Sequence, residues 1–420
     1  MSGGFRWHPA ARLFDSAGNE VSAGCPPPPS PPHGGEGRRL SPPSVFPDTA
    51  RGLAAAIGHP AFRIGAPDQP APMPGAQPVF ETLTSGSTGQ PRRILRTQGS
   101  WTASFAVNMG FGIGPGARVA VLGRLVHSLA LYGAVEGLHL GAEVHLLDAL
   151  RPDRQRQALA ARGITHLYAT PAQLRLLGEG QGTCPDLRLV MVGGSKLDGR
   201  LRAAVAAMAP AAEVREFYGA AETSFITLAD RDTPEGSVGR AYPGVEIALD
   251  PDGTVWVRSP YVFLGYACDA VLPSPLVGEG EGGGGSRSAR GGTRWRDGWL
   301  SVGEVGRLDQ GFLYLDGRAG RMVTVADQNV FPEAIEALLE SLPSVFRAAV
   351  LPVADARRGV VLVAMVQGDP GAEAAVMARM RAELGPLKAP RALIWQEDWP
   401  VLASGKTDLR ALEARLTWPG

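Results

Sequence analysis

A short loop at residues 84–92 constrains the fold of this chain more than any other segment. It reads TSGSTGQPR, so hydroxyl side chains and two glycines are followed by a proline, and then by Arg92 and Arg93. Glycines let backbone amides converge on one point, hydroxyls add donors, and arginines add positive charge. The loop therefore predicts a cradle for a polyphosphate, with a plain polar turn as the alternative. It is not the Gly-x-x-x-x-Gly-Lys-Ser/Thr phosphate loop, because lysine follows neither glycine.

Two later segments have features that suit the same kind of ligand. Residues 187–195 read LRLVMVGGS, which is typical of a short buried strand that ends in a Gly-Gly turn. A plain strand-to-helix turn is the alternative for that segment. Residues 216–223 read EFYGAAET. There Tyr218 offers an aromatic face to a purine, Gly219 permits a close backbone approach, and Glu222 offers a carboxylate to a cation.

These segments resemble motifs of the adenylate-forming superfamily, which includes acyl- and aryl-CoA synthetases, peptide-synthetase adenylation domains and luciferases. The loop is similar to Thr/Ser-Ser-Gly-Ser/Thr-Thr-Gly-x-Pro-Lys, with Arg92 at the lysine. The later segment is similar to Tyr-Gly-x-Thr-Glu, with Ala221 at the threonine. Further motifs follow in family order at residues 297–304 (Asp-Gly-Trp-x-x-Thr-Gly-Asp), 317–318 (hinge), 329–336 (Asn-Val-x-Pro-x-Glu-Ile-Glu) and 404–408 (Ser-Gly-Lys).

The resemblance spans residues 78–416 and implies a role for each matching residue. Lys406, Glu222 and Thr88 are expected to be catalytic, and Glu222 is also expected to hold Mg²⁺. Residues expected to bind the nucleotide are Thr84, Ser85, Gly86, Ser87, Thr88, Gly89, Arg92, Ser195, Tyr218, Gly219, Glu304 and Arg318. Residues expected to bind the acid are His127, Gly193 and Gly194. For His127, a structural position beside a buried helix is the alternative.

The resemblance also implies an α/β fold, with a large N-terminal adenylate-forming domain of layered sheets and helices and a small C-terminal α+β lid domain. We expect a partial N-terminal region at residues 1–77, an AMP-binding core at 78–317 and the lid at 318–420. Proline, glycine, serine and charge dominate residues 25–46 and about 273–292, which predicts a low-complexity segment and a disordered insertion. Family members usually have a complete subdomain before the loop, whereas only 83 residues precede it here. We therefore expect a truncated first subdomain, whose exposed sheet edge a partner or a second copy could cover.

The implied activity is ATP-dependent acid–thiol ligation. A carboxylic acid is adenylated, pyrophosphate leaves, and the acyl group passes to coenzyme A, so ATP, Mg²⁺ and CoA are the expected cofactors. Transfer to the phosphopantetheine of an acyl carrier protein is an alternative, because Ala326 and Asp327 replace a glycine pair at the expected pantetheine tunnel. A catalytically degenerate nucleotide-binding relative is the third interpretation. The departures that support it are Arg92, Ala221, Glu304 and Gly320.

Composition is compatible with a soluble enzyme. Acidic and basic side chains balance at 41 each, so the chain has no basic field that would attract nucleic acid. Three scattered cysteines favour a reducing compartment, and the N-terminus lacks an apolar signal segment. No run of about twenty apolar residues occurs. We therefore expect a cytoplasmic protein without a membrane span. The resemblance implies that it acts on a small carboxylic acid, which the sequence does not name.

Overall fold

The computed structural model describes residues 3–23, 44–83, 92–194, 197–267, 287–288, 293–325, 328–355, 359–402 and 406–417. Within these residues the strands form one long mixed sheet, two five-stranded sheets, and two smaller sheets toward the C-terminus. None of the helices in this part of the chain is long and apolar enough to cross a bilayer.

The long sheet is the scaffold of the N-terminal part. In spatial order its strands are β2 (Glu20–Val21), β1 (Arg12–Phe14), β8 (Glu143–Leu146), β7 (Arg118–Val121), β9 (His166–Ala169), β10 (Leu189–Gly193), β11 (Glu213–Ala220), β12 (Ser224–Ala229), β13 (Ser237–Ala241), β21 (Phe312–Arg318) and β20 (Glu304–Asp309). Neighbouring strands are parallel from β1 to β11 and antiparallel from β11 to β20. The carboxyl ends of the parallel strands therefore meet the antiparallel extension at β11.

Helices cover both faces of the parallel strands, which gives the layered α/β arrangement. Alternate residues of β10 belong to two separate hydrophobic clusters, with Met191 in one cluster and Val190 in the other. The first cluster includes Trp101 of α2 (Gln98–Asn108) and Leu131 of α3 (Ser128–Leu140). The second is formed with α4 (Pro152–Ala161), α5 (Pro171–Gly178) and α6 (Gly199–Met208). Burial on both faces explains why these strands are mostly apolar rather than alternating.

Two five-stranded sheets complete the N-terminal part. The first contains β16 (Gly265–Tyr266), β6 (Arg93–Thr97), β5 (Val79–Leu83), β4 (Ala61–Ile64) and β3 (Val45–Phe46), and α1 (Ala50–Ala56) connects β3 to β4. The second contains β14 (Glu246–Leu249), β15 (Val255–Arg258), β19 (Trp299–Ser301), β18 (Arg294–Arg296) and β17 (Arg287–Ser288). Because β5 and β6 pair antiparallel up to Leu83 and Arg93, this hairpin holds both ends of the predicted phosphate loop.

Beyond Arg318 the chain forms a smaller α+β unit with its own hydrophobic core. Its strands and helices are β22 (Val323–Val325), β23 (Gln328–Val330), α7 (Pro332–Glu340), β24 (Val345–Asp355), β25 (Gly359–Gly368), α8 (Glu373–Lys388), β26 (Leu393–Trp395) and α9 (Leu409–Arg415). Arg321 donates two hydrogen bonds to the Glu336 carboxylate, at 3.1 and 2.7 Å. This pair fastens the segment that follows β21 to α7.

One sequence prediction agrees directly with these elements. The predicted strand within residues 187–195 corresponds to β10, which is fully buried and ends at Gly193. One expectation is wrong in part, because Val45 and Phe46 of the predicted low-complexity segment form β3. They pair with β4, and Phe46 is buried in the core. The remainder of that segment to residue 43, and the predicted insertion apart from residues 287–288, lie outside the described residues.

A polar network lies inside the core between α2, α3 and β9. The fully buried Glu136 carboxylate accepts hydrogen bonds from Asn108 at 2.8 Å, from Tyr132 at 3.1 Å, and from the Tyr168 hydroxyl. Tyr242 donates to Asn108 at 2.6 Å. Burial raises the pKa of Glu136 to about 7, although the three hydrogen bonds to the carboxylate oppose the shift. The network thus pairs polar groups that an apolar core would otherwise leave unsatisfied.

Replacing Glu136 by glutamine tests whether the pKa of this carboxyl group differs between the folded and the unfolded protein. Its pKa is higher in the folded than in the unfolded protein, so its stabilising contribution is present at low pH and is lost as the pH rises toward about 7. Between pH 5 and 8, the free energy of unfolding of the wild type should fall by about 2–3 kcal/mol relative to Glu136→Gln. Urea unfolding at a series of pH values measures this difference. A constant difference across the range would contradict the prediction.

Candidate active site

The turn between β11 and β12 presents Glu222 at the edge of the parallel strands. The strand register shifts between Tyr218 and Gly219, and a side chain at Gly219 would lie 1.8 Å from the carbonyl oxygen of Ser224. Only glycine permits so close an approach. Ser224 itself has a left-handed backbone conformation, with a φ of 56°. The turn that presents Glu222 is therefore closed tightly by its own backbone.

The Glu222 side chain is held from the neighbouring β16. The Tyr266 hydroxyl donates a hydrogen bond to Glu222 Oε1 at 2.8 Å. The Arg92 guanidinium lies 5.3 Å from the centroid of the Tyr266 ring and also donates to the Tyr266 hydroxyl at 3.4 Å. Arg92, the arginine that replaces the family lysine in the predicted phosphate loop, therefore lies beside the predicted metal ligand.

Glu304 and Arg318 face each other across the β20–β21 hairpin. Arg318 Nε donates to Glu304 Oε1 at 2.9 Å, and the Glu304 side chain is almost fully buried. Burial raises the pKa of Glu304, and the charges of Arg318 and Lys406 oppose that effect. The Tyr218 hydroxyl also interacts electrostatically with Glu304, and it is buried without a hydrogen-bond partner among the described residues.

Lys406 reaches this region from the C-terminal unit. Val401 and Thr407 form an antiparallel bridge, and the Leu402 amide donates to the Lys406 carbonyl at 2.8 Å, so the backbone of Lys406 is anchored to residues 401–402. Its side chain is exposed to the cleft yet surrounded by protein atoms. This loss of solvation, together with the Arg318 charge, lowers the pKa of Lys406, whereas Glu222 and Glu304 act to raise it. The carboxylates therefore favour the charged form of the lysine.

One cavity of about 1860 Å³ brings most of these groups together. The predicted site residues that line it are Gly194, Tyr218, Gly219, Glu304, Arg318 and Lys406. Glu222 is not part of its lining, but its charge acts on Lys406. The opposite side of the cavity is formed by the C-terminal unit, where Glu333 and Phe346 contribute. The cavity is thus a cleft between the two parts of the chain.

Of the three residues predicted to bind the acid, only Gly194 lines this cavity. Gly193 and His127 do not line this cavity, and the Phe217 ring covers Gly193 so closely that a side chain there would lie 2.1 Å from it. His127 pairs with Leu83, so it lies at the base of the predicted phosphate loop. Burial and the Arg124 charge lower the pKa of His127. The predicted residues that fall outside the described part are Thr84, Ser85, Gly86, Ser87, Thr88, Gly89 and Ser195.

Two residues near Glu222 are absent from the sequence predictions. Tyr266 holds the carboxylate of Glu222, and Arg96 in β6 donates a hydrogen bond to the carbonyl of Ala221. The sequence contains no signal for either residue. In β6 the structure buries Ile94 and Arg96, but the apolar Leu95 between them breaks the alternation that would mark position 96 as core-facing.

Two family models match the chain in the order of its two parts. The AMP-binding enzyme model matches residues 30–267, which is more than half of the chain, and the model of the AMP-binding enzyme C-terminal domain matches residues 334–406. This chain belongs to the AMP-binding enzyme family. A relative in the family, the uncharacterized acyl-CoA ligase YhfT of Bacillus subtilis, is 30% identical over 344 residues, which cover 78% of this chain and 67% of the relative. The chain spans 60–70% of the length of the curated relatives that it matches.

Solved structures of other proteins share the fold. The amide bond synthetase McbA from Marinactinospora thermotolerans is 26% identical, with a TM-score of 0.67, and the match covers 89% of this chain and 79% of McbA. ATP-bound MatB from Rhodopseudomonas palustris is 25% identical, with a TM-score of 0.67, and the match covers 87% of this chain and 72% of MatB. The predicted α/β fold, with a larger N-terminal and a smaller C-terminal part, is confirmed.

The described residues of this AMP-binding enzyme fit an adenine nucleotide and Mg²⁺. The cleft contains the buried Tyr218 hydroxyl, which has no hydrogen-bond partner among the described residues, and the ion pair of Glu304 with Arg318. These groups offer hydrogen bonds to a sugar and a base. Mg²⁺ is usually held by one or two carboxylates together with phosphates and water, so the single predicted carboxylate, that of Glu222, would be enough to hold it. Within the described ranges no cluster of three or more His, Cys, Asp or Glu side chains forms a metal site of its own.

Two tyrosine-to-phenylalanine replacements should differ in their effect on stability. The Tyr218 hydroxyl is buried without a partner in the described part of the chain, so Tyr218→Phe should leave the free energy of unfolding unchanged or raise it by up to about 1 kcal/mol. Tyr266→Phe removes the hydrogen bond to Glu222 and should lower the free energy by about 1 kcal/mol. Urea unfolding of the ligand-free proteins measures both changes, and equal losses in the two variants would contradict this account.

Proposed function

We propose that this chain is an AMP-forming acid–CoA ligase, which adenylates a carboxylic acid with ATP and transfers the acyl group to the thiol of coenzyme A. Relatives named as acyl-CoA ligases and as indoleacetate-CoA ligase support this class of enzyme, and the likeness to ATP-bound MatB supports ATP as the nucleotide. The roles of individual residues, and a core at 78–317 with a lid at 318–420, belong to the same proposal.

One observation carries the proposal: Lys406 of the C-terminal unit lines the same cleft as Glu304 and Arg318. The chain contains only three lysines, Lys196, Lys388 and Lys406, among its 41 basic residues. Arginine therefore supplies almost all of its surface positive charge, and a lysine at position 406 departs from that preference. A compact ammonium group on a flexible stem suits a charge that must approach and leave a reacting phosphate.

The proposed first step is an in-line displacement at the α-phosphorus of ATP. A carboxylate oxygen of the acid attacks this phosphorus, the bond to the oxygen that bridges the α- and β-phosphates breaks, and pyrophosphate leaves with that electron pair. Lys406 neutralises the negative charge that develops between the attacking oxygen and the α-phosphate. No proton is transferred in this step, so Lys406 acts as a fixed cation. The nearby Glu222 and Glu304 favour its charged form.

Different residues of the cleft are proposed to bind different parts of ATP. Tyr218 is proposed to stack on adenine, and Glu304 with Arg318 to hold the ribose. Glu222 would hold Mg²⁺, whose charge offsets that of the departing phosphates. The predicted phosphate loop at residues 84–92 would contact the phosphates, and Arg92 ends that loop beside Tyr266 and Glu222.

The second proposed step transfers the acyl group. The thiolate of CoA attacks the acyl carbon, the bond between that carbon and the AMP oxygen breaks, and AMP leaves. A carrier-protein phosphopantetheine is the alternative thiol. The likeness to the amide bond synthetase McbA makes an amine a further acceptor to test. The acceptor does not alter the adenylation step, so the two steps can be tested separately.

Lys406→Ala tests the adenylation step. Removing the cation should lower acid-dependent exchange of pyrophosphate into ATP by about a hundredfold or more, because preorganised charges contribute several kcal/mol to such transition states. The assay uses a panel of aryl and fatty acids with MgATP and labelled pyrophosphate.

Lys388→Ala is the matched control, because it removes a lysine at the end of α8 that does not line the cleft. This variant should exchange pyrophosphate at the wild-type rate. Equal exchange by the Lys406 and Lys388 variants would refute the role of Lys406. Absence of exchange from folded wild-type protein with every acid would refute the proposed activity itself.

A further inference from the structure

Arg96 is a buried cation at a position where the strand pattern calls for an apolar residue. It lies in β6 opposite Phe80, two residues after the fully buried Ile94, and its own exposure is 1%. No carboxylate in the described part of the chain lies within ion-pair distance of it. Burying an unpaired charge is costly, so its guanidinium must be compensated by hydrogen bonds.

The hydrogen bonds of Arg96 converge on the surroundings of Glu222. One terminal nitrogen donates to the carbonyl of Ala221, and the other donates to Ser224 Oγ at 2.7 Å and to the carbonyl of Tyr261. Ala221 directly precedes Glu222 in the chain, and Ser224 closes the same turn. The Tyr261 segment also supports the turn, because the Phe263 amide donates to the Glu222 carbonyl at 2.8 Å.

The charge of Arg96 acts on the same carboxylate. Burial lowers the pKa of Arg96 to about 9, and the Glu222 carboxylate opposes that shift. The arginine therefore remains charged at neutral pH, and it lies behind the backbone of the turn while Tyr266 contacts the side chain of Glu222. Arg96 and Tyr266 hold two different parts of the same residue.

We propose that Arg96 is a positioning residue that fixes the turn at residues 220–224, and thereby the Glu222 carboxylate, in the geometry that binds the divalent cation. The inference rests on the proposed function for the identity of that cation. Outer contacts of this kind commonly change metal affinity by about 10- to 100-fold when they are removed. A role in folding alone would change stability without changing the affinity for the metal.

The test compares Arg96→Lys with the wild type by two binding measurements. Lysine keeps the positive charge, but its ammonium group lacks the planar guanidinium geometry by which Arg96 donates to three acceptors at once. The first measurement is Mn²⁺ affinity in the presence of a non-hydrolysable ATP analogue, followed by the electron paramagnetic resonance signal of free Mn²⁺. The second is the affinity for the same analogue in EDTA. We expect Mn²⁺ affinity to fall by about tenfold or more, and the affinity in EDTA to remain within about twofold.

Arg63→Lys is the matched control. Arg63 is equally buried, but it donates to the carbonyls of Ala66 and Pro70 and pairs with Glu81, away from Glu222. It should lower the free energy of unfolding and leave Mn²⁺ affinity unchanged. Ser224→Ala removes one of the three acceptors of Arg96 and should weaken Mn²⁺ binding by a smaller factor. This variant replaces Arg96→Lys in the test if Arg96→Lys does not fold.

The outcomes separate this inference from the proposed function. Unchanged Mn²⁺ affinity in Arg96→Lys and Ser224→Ala would overturn the positioning role, and so would an equal loss with and without the metal. Both binding measurements are independent of turnover. If the wild type adenylated no acid, the proposed function would fail, whereas the role of Arg96 at the cation site would still be decided by the affinities.

Discussion

The ion pair between Glu304 and Arg318 is the interaction on which the geometry of the cleft depends. It joins the two strands of the last hairpin in the core, and Arg318 is the final residue of that hairpin before the chain enters the C-terminal unit. Lys406 returns from that unit to the same pair of charges. The backbone of Lys406 is held by the Leu402 amide within the C-terminal unit, and the charges of Arg318, Glu222 and Glu304 act on its side chain.

Sequence patterns predicted the elements that depend on neighbours in the chain. The apolar run within residues 187–195 is such a local signal, and β10 is the buried strand that it predicts. Motif order also predicted the family, and the cleft contains Tyr218, Glu304, Arg318 and Lys406 as expected. The residue roles stay predictions, since they depend on ligands, and the glycines and hydroxyls of the phosphate loop lie outside the described residues.

The remaining features depend on contacts between distant segments, which periodicity does not encode. Arg96 contacts residues 221, 224 and 261. Tyr266 lies in a different sheet from the strands on either side of Glu222, yet its hydroxyl donates to the Glu222 carboxylate. Glu136 has the sequence surroundings of an ordinary apolar helix, yet it accepts hydrogen bonds from α2 and β9. The strand at Val45 and Phe46 was missed because proline and glycine dominate the residues before it, whereas burial of Phe46 decides its structure. The surroundings of Gly193, which was predicted to bind the acid, could not be predicted for the same reason. Phe217 covers Gly193 because β10 pairs with β11.

In the proposed adenylation step, the acid carboxylate attacks the α-phosphorus of ATP. Once an accepted acid is known, turnover with that acid labelled by ¹⁸O in both carboxylate oxygens tests this attack directly. We expect AMP to gain one ¹⁸O atom, because one labelled oxygen becomes the bridge to phosphorus and stays with phosphorus when the acyl group is transferred. Unlabelled AMP, or ADP formed together with labelled phosphate, would contradict it.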